Sequence, residues 1–168
     1  LSSAYRVRPA TLDDADVLVR HRCSMFTDMG VPLDAVALES AFRVWLARTM
    51  PNGTYRAWLA ETTAEQDGRL PGANARVVAG GGITILPWPP GPRYMGDRLA
   101  FVYNVYTEPE HRRRGLGRLI MDAIHAWCRE ADITSLALNA SPDGLAMYAS
   151  MGYAVAPSPM MFFALKSA

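Results

Sequence analysis

Apolar positions recur along this chain with two different periods, and the switches between them mark out its elements. Tyr5–Pro9 alternates over a few residues, which predicts a short first strand. Thr11, Leu12, Asp13 and Asp14 then read as a helix start: Thr11 can cap, and the two aspartates sit at the positive end of the helix dipole. Leu18, Val19, Cys23 and Phe26 supply that helix with one apolar stripe, and Gly30 ends it. A second helix is expected from near Pro32, with Leu38, Phe42, Trp45, Leu46 and Thr49 at helical spacing and Pro51, Asn52 and Gly53 stopping it. Tyr55–Thr62 and residues 75–86 read as strands, joined by a polar, Gly-containing hairpin loop over 63–74. Gly80, Gly81 and Gly82 interrupt the second of these and predict a bulge or a close backbone approach.

The second half is patterned more strongly. Residues 87–96 carry four prolines and must form an irregular loop. Residues 99–107 form the clearest strand, and Leu116–Glu130 the clearest helix. There Leu116, Leu119, Ile120, Ala123, Ile124, Trp127 and Cys128 share one face, opposite Arg118, Asp122, His125 and Arg129. A short strand over 135–139, a short helix over 144–150 and two closing strands over 153–156 and 160–165 complete the order. That order, β-α-α-β-β-β-α-β-α-β-β, predicts an α/β (α+β) architecture: a mixed sheet of about seven strands with about four helices on its faces. At 168 residues, with no internal repeat and no linker-like stretch, the chain reads as a single domain over 1–168.

Composition narrows the function classes. Formal net charge is +1, and 16 of the 17 basic residues are arginines, only Lys166 being lysine. So small a net charge, without stacking aromatics interleaved among the arginines, argues against nucleic acid as a partner. No apolar run approaches the ~20 residues of a membrane span. The start, Leu1-Ser2-Ser3, has no basic region followed by an apolar stretch, so no leader peptide is expected. Cys23 and Cys128 fall on apolar helical stripes, outside any C-x-x-C or Cys/His cluster. They are expected to be reduced core thiols of a cytoplasmic protein, with no metal site.

The chemistry concentrates in residues 104–118, where a strand runs through a short turn into the amphipathic helix. Three consecutive arginines, Arg112, Arg113 and Arg114, precede Gly115 and Gly117. Amides opening a helix lack intrahelical acceptors, and the dipole adds partial positive charge, so residues 113–118 form an anion site. The two glycines let backbone approach an oxygen-rich ligand, and the arginines add charge-assisted bonds. A pyrophosphate is the expected ligand. A Walker loop would need Lys after Gly117, and a dinucleotide fingerprint would need Gly where Ile120 stands. The bland alternative is a solvated arginine run capping a core helix.

The element order and two motifs decide between these readings. Arg112-x-x-Gly115-x-Gly117, with Pro109 six residues before Gly115 and an aliphatic strand ahead, resembles the [QR]-x-x-G-x-[GA] signature of the GNAT N-acetyltransferase superfamily. Downstream, Leu145-Ala146-Met147-Tyr148-Ala149-Ser150-Met151-Gly152-Tyr153 resembles that family's late helix, with Tyr153 in place of the usual Phe. The opening Tyr5-Arg6-Val7-Arg8-Pro9 followed by Asp13-Asp14 is similar to a GNAT N-terminus. The resemblance thus spans nearly the whole chain.

What it implies is specific. The sheet should be mostly antiparallel, with its fourth and fifth strands splayed around the pantetheine arm of acetyl-CoA, the co-substrate. Val105, Tyr106 and Thr107 would lend backbone groups to that arm and to the thioester carbonyl. Arg112, Arg113, Arg114, Gly115, Leu116, Gly117 and Arg118 would hold the pyrophosphate, with Asn139 and Ser141 nearby; Ser141 stands where Asn is frequent. Tyr148 matches the family's general acid, and a phenol, protonated at neutral pH, suits that role. Its plain alternative is a core aromatic. The acceptor would be a primary amine of a small molecule or peptide.

For the acceptor pocket the resemblance points to the first helices and the strand facing them, hence Arg22, Phe26, Glu39, Trp45 and Tyr103. Phe26 and Trp45 lie on apolar stripes and read first as core. A buried Arg22 wants a carboxylate, either Glu39 or one carried by the substrate. Glu108 and Glu110 should face solvent or pair with arginines, so no general base is assigned. His21, His111 and His125 are not spaced as ligands and are expected at the surface. With no base in view, the enzyme reading competes with a catalytically silent acyl-CoA-binding regulatory module. The apolar run 160–165 would also suit pairing of two copies into a homodimer.

Overall fold

A computed structural model of the protein describes residues 4–63, 75–158 and 160–165. The loop expected over 63–74 lies, apart from Thr63, outside the described residues. Strand β1 (Tyr5–Pro9) leads through a 3-10 turn at Leu12–Asp14 into α1 (Ala15–Asp28), and α2 (Ala35–Thr49) follows. Then come β2 (Tyr55–Thr62), β3 (Val77–Pro87) and β4 (Arg98–Thr107). A second 3-10 turn at Pro109–His111 precedes α3 (Leu116–Glu130), β5 (Leu136–Leu138) and α4 (Leu145–Ser150). The helix starts follow their side chains. The Thr11 amide donates to Asp14 Oδ2 at 2.8 Å, and Asp34 Oδ1 accepts from the Ala37 amide at 3.0 Å, so α2 begins just after the expected Pro32. Gly30, at φ +68°, lets the chain leave α1.

The strands form one sheet in sequence order, β1 to β5, antiparallel throughout except for the parallel β4–β5 pair. Period-two alternation sends its side chains into two cores. Tyr55, Ala57 and Leu59 of β2 pack with Leu18, Val19, Phe42 and Leu46 under α1 and α2. Trp58 and Ala60 face the other way, onto Ile120, Met121, Ile124 and Cys128 of α3. The α3 stripe read from the sequence is the face that is buried. Its Cys128 thiol is pushed up to about 11 by burial, as expected of an inert core group.

The glycine triplet is a close approach on both faces. A Cβ on Gly81 would stand 2.8 Å from Ile120 Cγ2, and one on Gly82 would stand 2.3 Å from the Tyr55 hydroxyl. The same place carries the bulge: Gly80 pairs with Tyr106 and Gly82 with Tyr103, so Asn104 and Val105 together oppose Gly81.

Two expectations are corrected. Among the described residues the sheet has five strands rather than about seven, because 153–156 and 160–165 are irregular. The Tyr153 amide closes back onto the Tyr148 carbonyl at 3.1 Å, and its ring stacks on His125, so the chain turns along α3 instead of joining a ladder. Residues 160–165 are apolar without alternation, a pattern that selects no register, and Met161, Phe162 and Phe163 are exposed. Two of the three histidines are not surface groups either, and the third, His125, is half-buried. His21 is 3% exposed beneath β4, His111 is buried with Nδ1 3.0 Å from the Tyr5 hydroxyl, and His125 Nε2 lies 2.8 Å from the Tyr153 hydroxyl.

Candidate active site

β4 leaves its β5 partner halfway. The two strands pair at Ala100–Leu136, Phe101–Ala137 and Val102–Leu138, and β4 then runs on to Thr107 with no β5 residue opposite it. This cleft is the splay. Among the described residues no strand pairs with β4 on that edge from Tyr103 to Thr107, and there the Thr107 carbonyl accepts from Arg112 Nε at 3.0 Å.

The bulge decides which side chains face which chamber. Alternation alone would turn Asn104 toward α3. The extra residue, with Asn104 at φ +58°, keeps Tyr103 and Asn104 both on the α1–α2 side, while Val105 turns to Gly81 and Ile120. Asparagine is among the few non-glycine residues that tolerate this left-handed conformation.

Beyond β4, the turn into α3 is set by two left-handed residues, Arg113 at φ +63° and Gly115 at φ +80°. Gly115 occupies the N-cap position with no capping side chain, and the first helical bond is Leu119 N–H to the Gly115 carbonyl at 3.1 Å. Among the described residues nothing in the chain accepts from the amides of Leu116, Gly117 and Arg118. A Cβ on Gly115 would meet no atom within 4 Å. Uncapped amides, an open approach and flanking arginines fit a diphosphate. The arginines, however, are deployed unequally. Arg112 turns away, to Asp28 at the end of α1, and its guanidinium lies 5.6 Å from the Tyr106 ring. Arg114 donates to the Tyr5 hydroxyl at 3.1 Å, Arg118 to the Ser150 hydroxyl, and Arg113 is exposed.

On the far side of the cleft, α4 carries Tyr148. Its ring is buried against the α3 core and meets Tyr153 edge-on at 5.7 Å. Its hydroxyl has no hydrogen-bond partner among the described residues, and burial holds its pKa above the usual phenol value. Ser141 opens α4 by accepting from the Gly144 amide at 2.9 Å; Asn139, just past β5, is exposed.

A cavity of about 480 Å³ opens on the α1–α2 side of the bulge, lined by Arg22, Leu38, Ala41, Phe42, Trp45, Thr84, Tyr103 and Asn104. Three of the expected acceptor-side residues, Arg22, Trp45 and Tyr103, meet there. Phe26 flanks the Arg22 guanidinium at 5.0 Å and Phe42 flanks it at 4.8 Å. Glu39 is exposed on α2 and makes no ion pair among the described residues. Asn104 and Tyr55 complete the wall: Arg22 Nη1 donates to Asn104 Oδ1 at 2.5 Å, and Asn104 Nδ2 donates to the Tyr55 hydroxyl at 3.3 Å. Burial pushes the Tyr55 phenol up to about 12, so it stays protonated. Sequence reasoning missed Asn104, Thr84 and Tyr55 as parts of this wall. Only the asparagine opposite a glycine triplet offered a signal.

The carboxylates near the turn serve structure. Glu108 is buried and joins Arg20 at 2.9 Å to Arg76 at 2.7 Å; burial alone would raise its pKa, but these two arginines hold it below the ordinary carboxylate range. Glu110, exposed, also meets Arg76. Both were expected to face solvent or pair with arginines: Glu108 pairs with Arg20 of α1 and with Arg76 just before β3, and Glu110 does both.

A sheet parted at β4–β5, with an uncapped helix start on one side and a pocket at the bulge on the other, is the architecture of an acyltransferase. The sequence profile described as Acetyltransferase (GNAT) family matches residues 32–153, and the chain belongs to that family, whose members use acetyl-CoA. A GCN5-related N-acetyltransferase from Ralstonia eutropha JMP134 is 30% identical, with 95% of this chain and 98% of that one covered and a TM-score of 0.77. A predicted acetyltransferase from Clostridium acetobutylicum, solved with acetyl-CoA, shares the fold at 21% identity, 95% and 96% coverage and a TM-score of 0.81. A ribosomal-protein-alanine N-acetyltransferase from Brucella melitensis biovar Abortus 2308 does so at 19% identity, 97% and 100% coverage and a TM-score of 0.67. Among curated protein sequences none matches. Among the described residues no helix is long and apolar enough to cross a membrane.

Proposed function

We propose that this acyltransferase moves the acetyl group of acetyl-CoA directly onto a primary amine of a small molecule or peptide. The observation that carries the reading is the set of uncapped amides at Leu116, Gly117 and Arg118, facing an open approach at Gly115 beside the parted strands. These amides, with Arg113, Arg114 and Arg118, take the diphosphate. The unpaired edge of Val105, Tyr106 and Thr107 takes the pantetheine arm, with Asn139 and Ser141 at the cleft's other lip. Arg112 serves this site by fixing the turn, since its guanidinium is held by Asp28 and the Thr107 carbonyl.

The thioester supplies an activated acyl carbon. A neutral amine entering from the Arg22–Tyr103 cavity forms the new C–N bond, and a β4 N–H on the unpaired edge receives the oxyanion. The C–S bond then breaks; the Tyr148 hydroxyl, free of protein partners among the described residues, donates its proton to the thiolate and regains one through water as the new amide nitrogen sheds its own. The residues lining the cavity include no carboxylate and no imidazole, so water carries the proton from the incoming ammonium.

Calorimetry with acetyl-CoA tests the binding half, and thiol release over an amine panel tests the transfer half. Binding with turnover on at least one amine is expected. Absence of binding at millimolar acetyl-CoA overturns the reading, and binding without thiol release leaves the chain as a silent acyl-CoA-binding module.

A further inference from the structure

The charge balance of the acceptor cavity points to the kind of amine it takes. Arg6, Arg8, Arg20, Arg43, Arg76, Arg98 and Arg112 each reach a carboxylate. Arg22 does not. Among the described residues its guanidinium meets only the neutral Asn104 amide and the faces of Phe26 and Phe42. Among the described residues its Nε is buried without an acceptor, and the Thr84 hydroxyl, on the same cavity wall, is buried without a partner too. Burial presses the Arg22 pKa downward, as expected of a cation taken out of water without a counter-ion. Glu39, the one internal carboxylate the sequence offered it, is exposed; its charge reaches Cys23 of α1, but it forms no ion pair with Arg22 among the described residues.

Such an arrangement is costly unless an anion completes it. The surroundings say which anion. Arg22 is the single cation among the residues lining the cavity, which matches a monoanion rather than a phosphate dianion. A guanidinium packed against the faces of Phe26 and Phe42 and tied through Nη1 to Asn104 is fixed in orientation, and a fixed guanidinium suits a carboxylate. The remaining wall is apolar, from Leu38, Ala41, Phe42 and Trp45, and so receives a hydrocarbon or aromatic body. Arg22 is bonded to Asn104, the residue next to Val105 on the unpaired edge of β4, so a carboxylate at Arg22 lies close to the point of transfer.

We propose that the acceptor is a small amino carboxylate, an apolar or aromatic amino acid or a close analogue, whose carboxylate is clamped by Arg22. This rests on the acetyl-transfer reading above and narrows it to one substrate class. The anchor is a binding group and takes no part in the bond changes.

The test compares matched amines: leucine and phenylalanine, their amides, the decarboxylated amines, and the aminophosphonates of the same skeletons. Thiol release is followed with the wild-type chain, Arg22→Gln and Arg22→Lys, and acetyl-CoA affinity is measured by calorimetry in each. The free acids are expected to be the best acceptors. Arg22→Gln should lower kcat/KM for them by about 10- to 100-fold while changing it little for the decarboxylated amines. Acetyl-CoA affinity should stay at its wild-type value. Arg22→Lys, which keeps the charge without the planar fork, should fall between. Amides, amines or phosphonates preferred over the acids, or equal losses on acids and amines in Arg22→Gln, overturn the proposal.

A thermal-shift series with the amino acids alone keeps the question separate from turnover. Stabilisation by acids over amides that disappears in Arg22→Gln supports the clamp even where no amine releases thiol. Equal shifts in both proteins refute it, whatever acetyl-CoA does.

Discussion

Asn104 offers a quantitative check on how the bulge is held. Its side chain makes two bonds, to the charged Arg22 Nη1 at 2.5 Å and to the Tyr55 hydroxyl at 3.3 Å, and its backbone sits at φ +58°. Replacing it by Gly removes both bonds but suits the backbone. A hydrogen bond to a charged group is worth about 1.5–3 kcal/mol and a neutral one about 1 kcal/mol. The cavity admits water to Arg22, so the lower value applies, and the total for Asn104→Gly is about 2.5 kcal/mol. For a chain of this length each kcal/mol lowers Tm by roughly 2–4 °C, which gives a fall of about 5–10 °C. Asn104→Ala loses the same bonds and in addition places a Cβ in the left-handed region, costing about 1–2 kcal/mol more. Urea titration and calorimetric melting of both variants separate the two contributions. The bonds are refuted as a structural brace if Asn104→Gly melts within about 2 °C of wild type. The strained φ is refuted if Ala and Gly melt together.

Other outcomes follow from single contacts. Gly81→Val drives atoms into Ile120 and Val105 and should destabilise by about 1–3 kcal/mol, read as a lower urea midpoint at unchanged m-value; an unchanged midpoint counts against the close helix–sheet approach. His21 is pushed down to about 4 by burial, so below the ~6.5 of an unfolded chain only the unfolded state takes up a proton there. Stability should fall as pH drops from ~6.5 toward ~4, by at most about 3 kcal/mol, and stay level above that window. His21→Leu should flatten this slope, and a slope equal to wild type would assign it to other groups. Tyr148→Phe removes a hydroxyl with no protein partner among the described residues, so melting and acetyl-CoA affinity should hold while kcat falls; an unchanged kcat leaves Tyr148 as packing. Gly117→Trp, whose Cβ would stand 3.0 Å from Met147 Sδ of α4, should displace α4 from the helix start and weaken acetyl-CoA binding by about tenfold or more in calorimetry, and equal affinity would remove the diphosphate cradle.

Periodic burial was the legible part of the fold. The α3 stripe, the alternation of β2 and the glycine stop after α1 each follow from neighbours in the chain, so the residues concerned name their own partners. The turn before α3 was legible for the same reason, since a helix start and its glycines are local. What the sequence left open depends on distant contacts. Whether Arg22 would find Glu39 is a question about which way α2 faces, and no spacing answers it. The bulge that turns Asn104 beside Tyr103 exists because β3 brings three glycines to that point of β4. The buried His21 and His111 read as polar surface residues by type, and only the hydroxyl of Tyr5, the ring of Tyr106 and the carboxylate of Glu108 reveal otherwise. Residues 160–165 had apolar content but no alternation, and content alone does not choose a strand partner.

Helix α1 touches both chambers of the molecule. Arg22 stands at the pocket, and Asp28, six residues on, grips Arg112 in the turn that opens α3 and also accepts from the Tyr106 hydroxyl. At 1.5 Å per residue the two are about 9 Å apart along one stiff rod. The wall of the cavity and the turn that opens α3 thus hang from one short rod, so a substitution that displaces α1 should disturb both together.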